Sequence, residues 1–308
     1  MSRRAGCFYQ FIQKPWFEYS PPNHLTWLDA DDIYDPDRIE YLLEEATSTG
    51  ADIVCDNSRF IDEGGEELPG GNRVPDHIAA DPCFTRLFER NYMSPHALIS
   101  RRCYQAVDYD TSLPGAEDYD FWLKSSGAGF IFRRLDDTKI SYRITTDSLS
   151  SNTARCWDDN RRIITKYSVR YLMNLYRSRN YSQDIINYMA CLQHIYRGNF
   201  SEALTFTNPP WPVAPDIDRH FYRGTLALKT GNKNMACNEL LTHLETTPNS
   251  PAGYNNLGVF HCMEHGDGMK YFKKAVDLFP AYNDAQINLT HNEDCVLTLT
   301  QTKSNKIR

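Results

Sequence analysis

A short apolar run that ends abruptly in three carboxylates constrains this chain more than any other feature. Leu25, Trp27 and Leu28 lead directly into Asp29-Ala30-Asp31-Asp32. A buried strand delivers acids in this way to the rim of a sheet, where an α/β fold keeps its ligand site. Carboxylates this close repel one another, so they need a cation or solvent, and a hard divalent ion carrying phosphate oxygens meets both needs. A second cluster, Glu117-Asp118-Tyr119-Asp120-Phe121-Trp122, follows Pro114-Gly115-Ala116. A carboxylate brought from it to the same rim would serve as a general base. Together the clusters imply metal-assisted group transfer from a phosphorylated donor.

The intervening pattern predicts alternating elements. Residues 36–49 read as a helix, with Asp35 as N-cap, Pro36 in the first turn, Gly50 as the stop and Ile39, Leu42, Leu43 and Ala46 as its apolar stripe. Residues 51–56 follow as a short buried strand, 62–76 as a Gly-, Glu- and Pro-rich loop, 84–90 as a helix and 97–99 as a strand. A helix opening at Glu117 sets its acids near the positive dipole end, which keeps a base ionised unless burial raises its pKa. Residues 129–132 and 139–143 read as closing strands.

These motifs resemble family 2 inverting glycosyltransferases of the GT-A fold. Asp29-Ala30-Asp31-Asp32 with Ile33-Tyr34-Asp35-Pro36 is similar to the family's Asp-x-Asp segment, and Glu117-Asp118 to its Glu-Asp motif. Tyr109-Asp110-Thr111-Ser112-Leu113 resembles the Phe-Asp-Glu-x-Leu lead-in. Tyr142-Arg143-Ile144 and Ser148-Leu149-Ser150 resemble the Tyr-Arg-Val-His-x-x-Ser-x-Ser segment, with Thr145 in place of the histidine. The likeness covers residues 25–150 and implies a nucleotide-diphospho-sugar donor, a glycan, lipid-linked or protein acceptor, and Mg²⁺ or Mn²⁺ as cofactor. It implies that Asp31 contacts the ion, with Asp29 or Asp32 supporting ion or ribose, and that Asp118 is the base, with Glu117 orienting the acceptor or that aspartate. Trp122 reads as an acceptor-sugar floor or a core tryptophan, and Arg143 as a diphosphate contact or a structural salt bridge. Asp120 is a competing base but reads better as a first-turn acid, and His96 reads better as a packed histidine than as a ligand. Only twenty-eight residues precede Asp29. The family carries a β-α-β-α-β half there, whereas here residues 7–12 read as one strand, so the fold is expected to be incomplete at its amino terminus.

The carboxy-terminal half changes character. Gly224 and Gly258 are thirty-four residues apart, and Pro248 and Pro280 thirty-two. The pattern Gly224, Ala227, Gly231, Ala236, Leu240, Pro248 returns as Tyr254, Leu257, Gly258, Phe272, Ala275, Pro280, with a weaker copy from Ala190 to Ala203. It is similar to tetratricopeptide repeats, which implies an all-α solenoid that either binds a protein partner or supports the transferase part. The expected organisation is an irregular segment at 1–22, a partial transferase domain at 23–152, a helical linker at 153–183, repeats at 184–290 and a polar tail at 291–308. The rival to an enzyme is an inactive transferase remnant acting as a repeat-based interaction scaffold. The net charge of -7 argues against a nucleic-acid partner. No apolar stretch reaches bilayer length. Nine scattered cysteines without a Cys-x-x-Cys pair read as reduced thiols, which fits a cytoplasmic location.

Overall fold

The computed structural model describes residues 22–110, 112–113, 116–145, 153–208, 210–212, 217–290 and 295–300, with backbone alone at 153–157. The strand expected at 7–12 and the Ser148-Leu149-Ser150 segment lie outside them. The chain divides into two compact units, Met1–Lys166 and Tyr167–Arg308.

The first unit is an α/β sheet with the order β1-β5-β3-β6-β2, and β4 paired to the free stretch of β3. Its strands are β1 (His24–Leu25), β2 (Ile33–Tyr34), β3 (Ile53–Ile61), β4 (Glu67–Asn72), β5 (Leu98–Ser100) and β6 (Phe132–Arg143). β3 and β6 run parallel; β1 on β5, β5 on β3, β4 on β3 and β2 on β6 are antiparallel. Helix α1 (Arg38–Thr49) packs Leu42 and Ala46 against Ala51, Val54 and Leu98. It ends where expected, at Gly50, whose φ of 68° a side chain would strain. Its start differs: the cap position is Asp37, and the Asp35 carboxylate is drawn off by Arg59 at 2.5 Å.

Two further expectations change. The 62–76 stretch is not a plain loop but contains β4, which closes a hairpin on β3. Its Glu-Leu-Pro-Gly-Gly-Asn sequence lacks alternation, and pairing is possible because Gly71 comes so close to Ser58 that a Cβ would lie 2.0 Å from the carbonyl oxygen. The two closing strands are one continuous β6. Four more helices are described in this unit: α2 (Asp76–Ala79), α3 (Arg101–Ala106), α4 (Glu117–Ala128) and α5 (Thr153–Ile164), with a 3₁₀ turn at Thr85–Glu89.

The regular elements among the described residues of the second unit are helices: α6 (Val169–Ser178), α7 (Gln183–Tyr196), α8 (Phe200–Thr205), α9 (Arg219–Lys229), α10 (Lys233–Thr246), α11 (Pro251–His265), α12 (Met269–Leu278) and α13 (Asn283–Thr290). The helical linker expected over 153–183 is not one helix but holds α5 and then α6, since Ser168 caps α6 by accepting from Tyr171 N. Successive hairpins meet through glycine. A Cβ on Gly224 in α9 would lie 2.7 Å from Leu240 of α10, and one on Gly258 in α11 would lie 2.5 Å from the Phe272 ring of α12. Gly258→Ala should therefore destabilise this unit by about 1–3 kcal/mol through overpacking, more than the up to ~1 kcal/mol that alanine adds to a helix. Urea unfolding followed by circular dichroism checks this; an unchanged or raised midpoint would contradict the close approach. No helix among the described residues is long and apolar enough to cross a membrane. Cys55, Cys103, Cys191 and Cys237 are free thiols, the first three of them buried.

Candidate active site

The first acidic cluster forms a turn after β1, closed by Asp32 N donating to Asp29 O at 3.1 Å. Arg143, at the end of β6, fixes this turn from the backbone side. Its amide donates to Asp32 Oδ1 at 2.8 Å and its Nε to the Asp31 carbonyl at 2.8 Å. Its Nη1 donates to the carbonyls of Asp62 and Glu63 at 2.6 and 3.0 Å, in the β3–β4 turn. The guanidinium thus stitches two loops together.

The turn presents Asp29 and Asp32 to His96, the residue before the short path into β5. His96 Nε2 lies 3.0 Å from Asp32 Oδ2 and 3.6 Å from Asp29 Oδ2. These three donate one ligand atom each within 4.8 Å of one another, a group that could hold a metal ion; Asp31 is not in it. The imidazole is held from every side. Ser94 Oγ sits 2.8 Å from Nδ1. The His96 carbonyl accepts from Thr26 Oγ1 at 3.1 Å and from Arg38 Nη2 at 2.8 Å. The rings of Tyr34 and Tyr142 stand edge-on at 6.0 and 6.3 Å. Burial alone would lower the histidine pKa, but the two carboxylates outweigh it and raise it. Yet among the described residues neither Asp32 Oδ2 nor His96 Nε2 completes a hydrogen bond of good geometry. Two buried polar atoms 3.0 Å apart with a poorly aligned hydrogen bond between them suit a shared cation.

The second cluster opens α4 and comes to the same place. Burial, and then the charge of Glu117, push the Asp118 carboxyl up to about 7, with Asp29 adding to the rise. That repulsion is the electrostatic trace of the two motifs meeting. Asn91 Nδ2 lies 3.5 Å from Asp118 Oδ2, and Tyr119 N donates to Asp118 Oδ1 at 2.7 Å. Asp120 points away, fully buried, with Lys124 Nζ at 2.7 Å and Lys166 Nζ at 2.8 Å. Trp122 has no exposed surface and lies parallel to half-buried Trp27, with centroids 6.3 Å apart. Trp27 also meets Tyr109 edge-on at 6.0 Å.

The residue that sequence reasoning undervalued is His96. Nothing in Ser94-Pro95-His96 marks a ligand; only the pairing of β5 with β1 carries it to the acidic turn. A different triad deserves contrast. In the helical unit Asp218 Oδ2 is 2.5 Å from His243 Nδ1, and His243 Nε2 is 2.9 Å from Ser250 Oγ. The order is that of an activated nucleophile. However, Ser250 is buried and its hydroxyl accepts from Gly253 N as the cap of α11, while Asp218 caps α9 through His220 N. The chain of bonds joins two helix starts.

Residues 17–109 match the family model described as Glycosyl transferase family 2. An uncharacterized glycosyltransferase, MJ1057 of Methanocaldococcus jannaschii, is 25% identical over 123 residues, which are 39% of this chain and 42% of that protein. The chain therefore spans about two fifths of the curated relative it matches. Among solved structures, S. aureus TarS 1-349 in complex with UDP-GlcNAc aligns with a TM-score of 0.40 and 12% identity, over 89% of this chain and 69% of that one. The same protein in complex with UDP gives 0.37 and 10%, over 89% and 68%.

Proposed function

We propose that the first unit, which carries the glycosyltransferase family 2 match, transfers a sugar from a nucleotide-diphosphate donor to an acceptor hydroxyl with inversion, assisted by a divalent metal. The observation that carries this reading is the convergence of Asp29, Asp32 and His96 with Asp118 at one rim of the sheet. Asp29, Asp32 and His96 fit a metal, since two carboxylate oxygens and one imidazole nitrogen make a mixed hard and borderline donor set. When bound, the ion would offset charge developing on the departing diphosphate. Ser94 Oγ, 2.8 Å from Nδ1, holds the His96 ring with Nε2 turned toward the two carboxylates. Asp31 contributes its carbonyl to Arg143 and so shapes the turn, and Arg143 acts here as a positioning residue. Asp118 takes the proton from the acceptor hydroxyl as that oxygen attacks the anomeric carbon; Glu117 beside it raises its basicity and orients the acceptor. Trp27, backed by Trp122, offers the ring nearer solvent for an acceptor of glycan, lipid-linked or protein class.

Calorimetric titration with UDP and GDP, each with and without Mn²⁺, tests the reading. Binding should require the metal, favour Mn²⁺ over Mg²⁺ because of the imidazole, and fall at least about tenfold in Asp32→Asn or His96→Ala. It should weaken below neutral pH, as protons compete for His96. Metal-independent binding, or none to folded protein, would sink it.

The second reading, a repeat-based scaffold, is supported by the equivalent glycine contacts of Gly224 and Gly258. Under it the helical hairpins are tetratricopeptide-like and hold a protein partner whatever the state of Asp118.

A further inference from the structure

The helical unit buries three asparagines with no exposed surface: Asn255 and Asn256 on α11, and Asn288 on α13. The chain segment 295–300 satisfies them. Asn256 Nδ2 donates to Thr298 O at 2.8 Å, and its Oδ1 accepts from Thr298 N at 2.9 Å. Asn288 treats Val296 in the same way, at 2.8 Å to the carbonyl and 2.5 Å from the amide. Asn255 Nδ2 adds a 3.0 Å bond to Val296 O, and its Oδ1 accepts from Asn288 at 2.8 Å. Each clamp reads the N–H and C=O of one residue, at alternate residues. That is how a strand reads an extended neighbour.

Two features separate this from ordinary packing. Asn256 and Asn288 are thirty-two residues apart (288 minus 256), the spacing of Pro248 and Pro280, so α11 and α13 offer the same amide at matching places in the pattern. The four clamp bonds also go to backbone, so they recognise an extended chain rather than a particular side chain. Specificity comes from the neighbours. Leu297 packs on the cluster of Ala227, Leu240, Leu257 and Phe260. Thr298 Oγ1 donates to Asp284 Oδ2 at 2.6 Å and lies 2.8 Å from Tyr282 Oη. Asn256 is pre-set by a 2.8 Å bond to Thr225, so little ordering remains for an incoming strand.

We propose that α9, α11 and α13 form a binding site for an extended peptide with an aliphatic residue followed by threonine, and that residues 295–300 occupy it in cis as a displaceable internal ligand. This deepens the scaffold reading but does not require that the hairpins be tetratricopeptide repeats. Tethering gives the internal segment a millimolar effective concentration, so a competing peptide engages only when the tether is cut or the segment is outcompeted.

The test uses the full chain with a protease site placed within residues 291–294. After cleavage, a fluorescent peptide of residues 295–300 is added and anisotropy followed. Exchange into the site is expected in the cleaved protein and not in the uncut one. N-methylation of the peptide at Thr298 should weaken binding at least about tenfold, through loss of the clamp bond and the stranded asparagine oxygen. N-methylation at Leu297, on the opposite edge, should cost less. Because the modification is in the peptide, no unfolded variant confuses the outcome. Release of the segment without uptake of the peptide, or retention until the helices melt by circular dichroism, would overturn the proposal. Either failure would leave the hairpin packing, and with it the repeat reading, intact.

Discussion

Asp118→Asn should lower sugar transfer by about 10²–10⁴-fold, the span lost with a positioned general base, while metal-dependent UDP binding stays within a few-fold of the parent. On the proposed mechanism the ionised carboxylate is the active form, so transfer by the parent should rise with pH around a midpoint of about 7, where burial, then Glu117, hold the Asp118 pKa. The same shift has a stability consequence. In the unfolded chain the group titrates near 3.9, so the fold tolerates the neutral acid better than the ion. The stability it contributes is complete below about pH 4 and is lost as pH rises to about 7. In metal-free protein Asp118→Asn should therefore raise stability at pH 8 but not at pH 4, by about 1–2 kcal/mol once solvent screening of a half-buried group is discounted. Loss of transfer with a gain in stability is the signature of a strained functional group. A carbon-13 titration of the Asp118 carboxyl that found a midpoint near 4 would remove both expectations.

What could be read in the sequence follows from how local each determinant is. The α1 helix, its Gly50 stop, the start of α4 and the glycine contacts of the hairpins depend on neighbours a few residues away or on one repeat, and residue type reveals them. The β3–β4 hairpin was hidden because Gly70 and Gly71 permit a pairing that no alternation announces. The split of the helix after Ile164 rests on one serine cap. In the site, both acidic clusters are visible as strings, but their meeting is not, since it depends on sheet order. His96 joins Asp29 and Asp32 only through β1–β5 pairing, and Arg143 reaches three carbonyls only because β6 ends beside the turn. Sequence names the acids; topology chooses which of Asp29, Asp31 and Asp32 faces the histidine.

Arg38 offers the second large effect, and one that separates fold from site. It is 1% exposed, at the start of α1, and meets equally buried Asp56 of β3 at 2.7 and 3.1 Å. Its guanidinium lies 4.0 Å over the Tyr34 ring, which accounts for the side of the group that makes no hydrogen bond. Its remaining bond, to the His96 carbonyl, ties this core pair to the metal-ligand candidate. Arg38→Ala would strand the Asp56 carboxylate with only the Lys139 amide at 3.3 Å, and should cost about 3–5 kcal/mol. Arg38→Met with Asp56→Leu removes both charges at similar volume, and such exchanges are often neutral or better. That double variant should recover most of the stability in urea titration. It still lacks the shorter of the two donors to the His96 carbonyl, leaving only Thr26 Oγ1 at 3.1 Å, so metal-dependent UDP binding should remain weakened by several-fold or more. Full recovery of both would make Arg38 a core residue only. Recovery of stability without binding would show that the buried charge pair joining α1 to β3 sets the geometry of the acidic site through the His96 carbonyl.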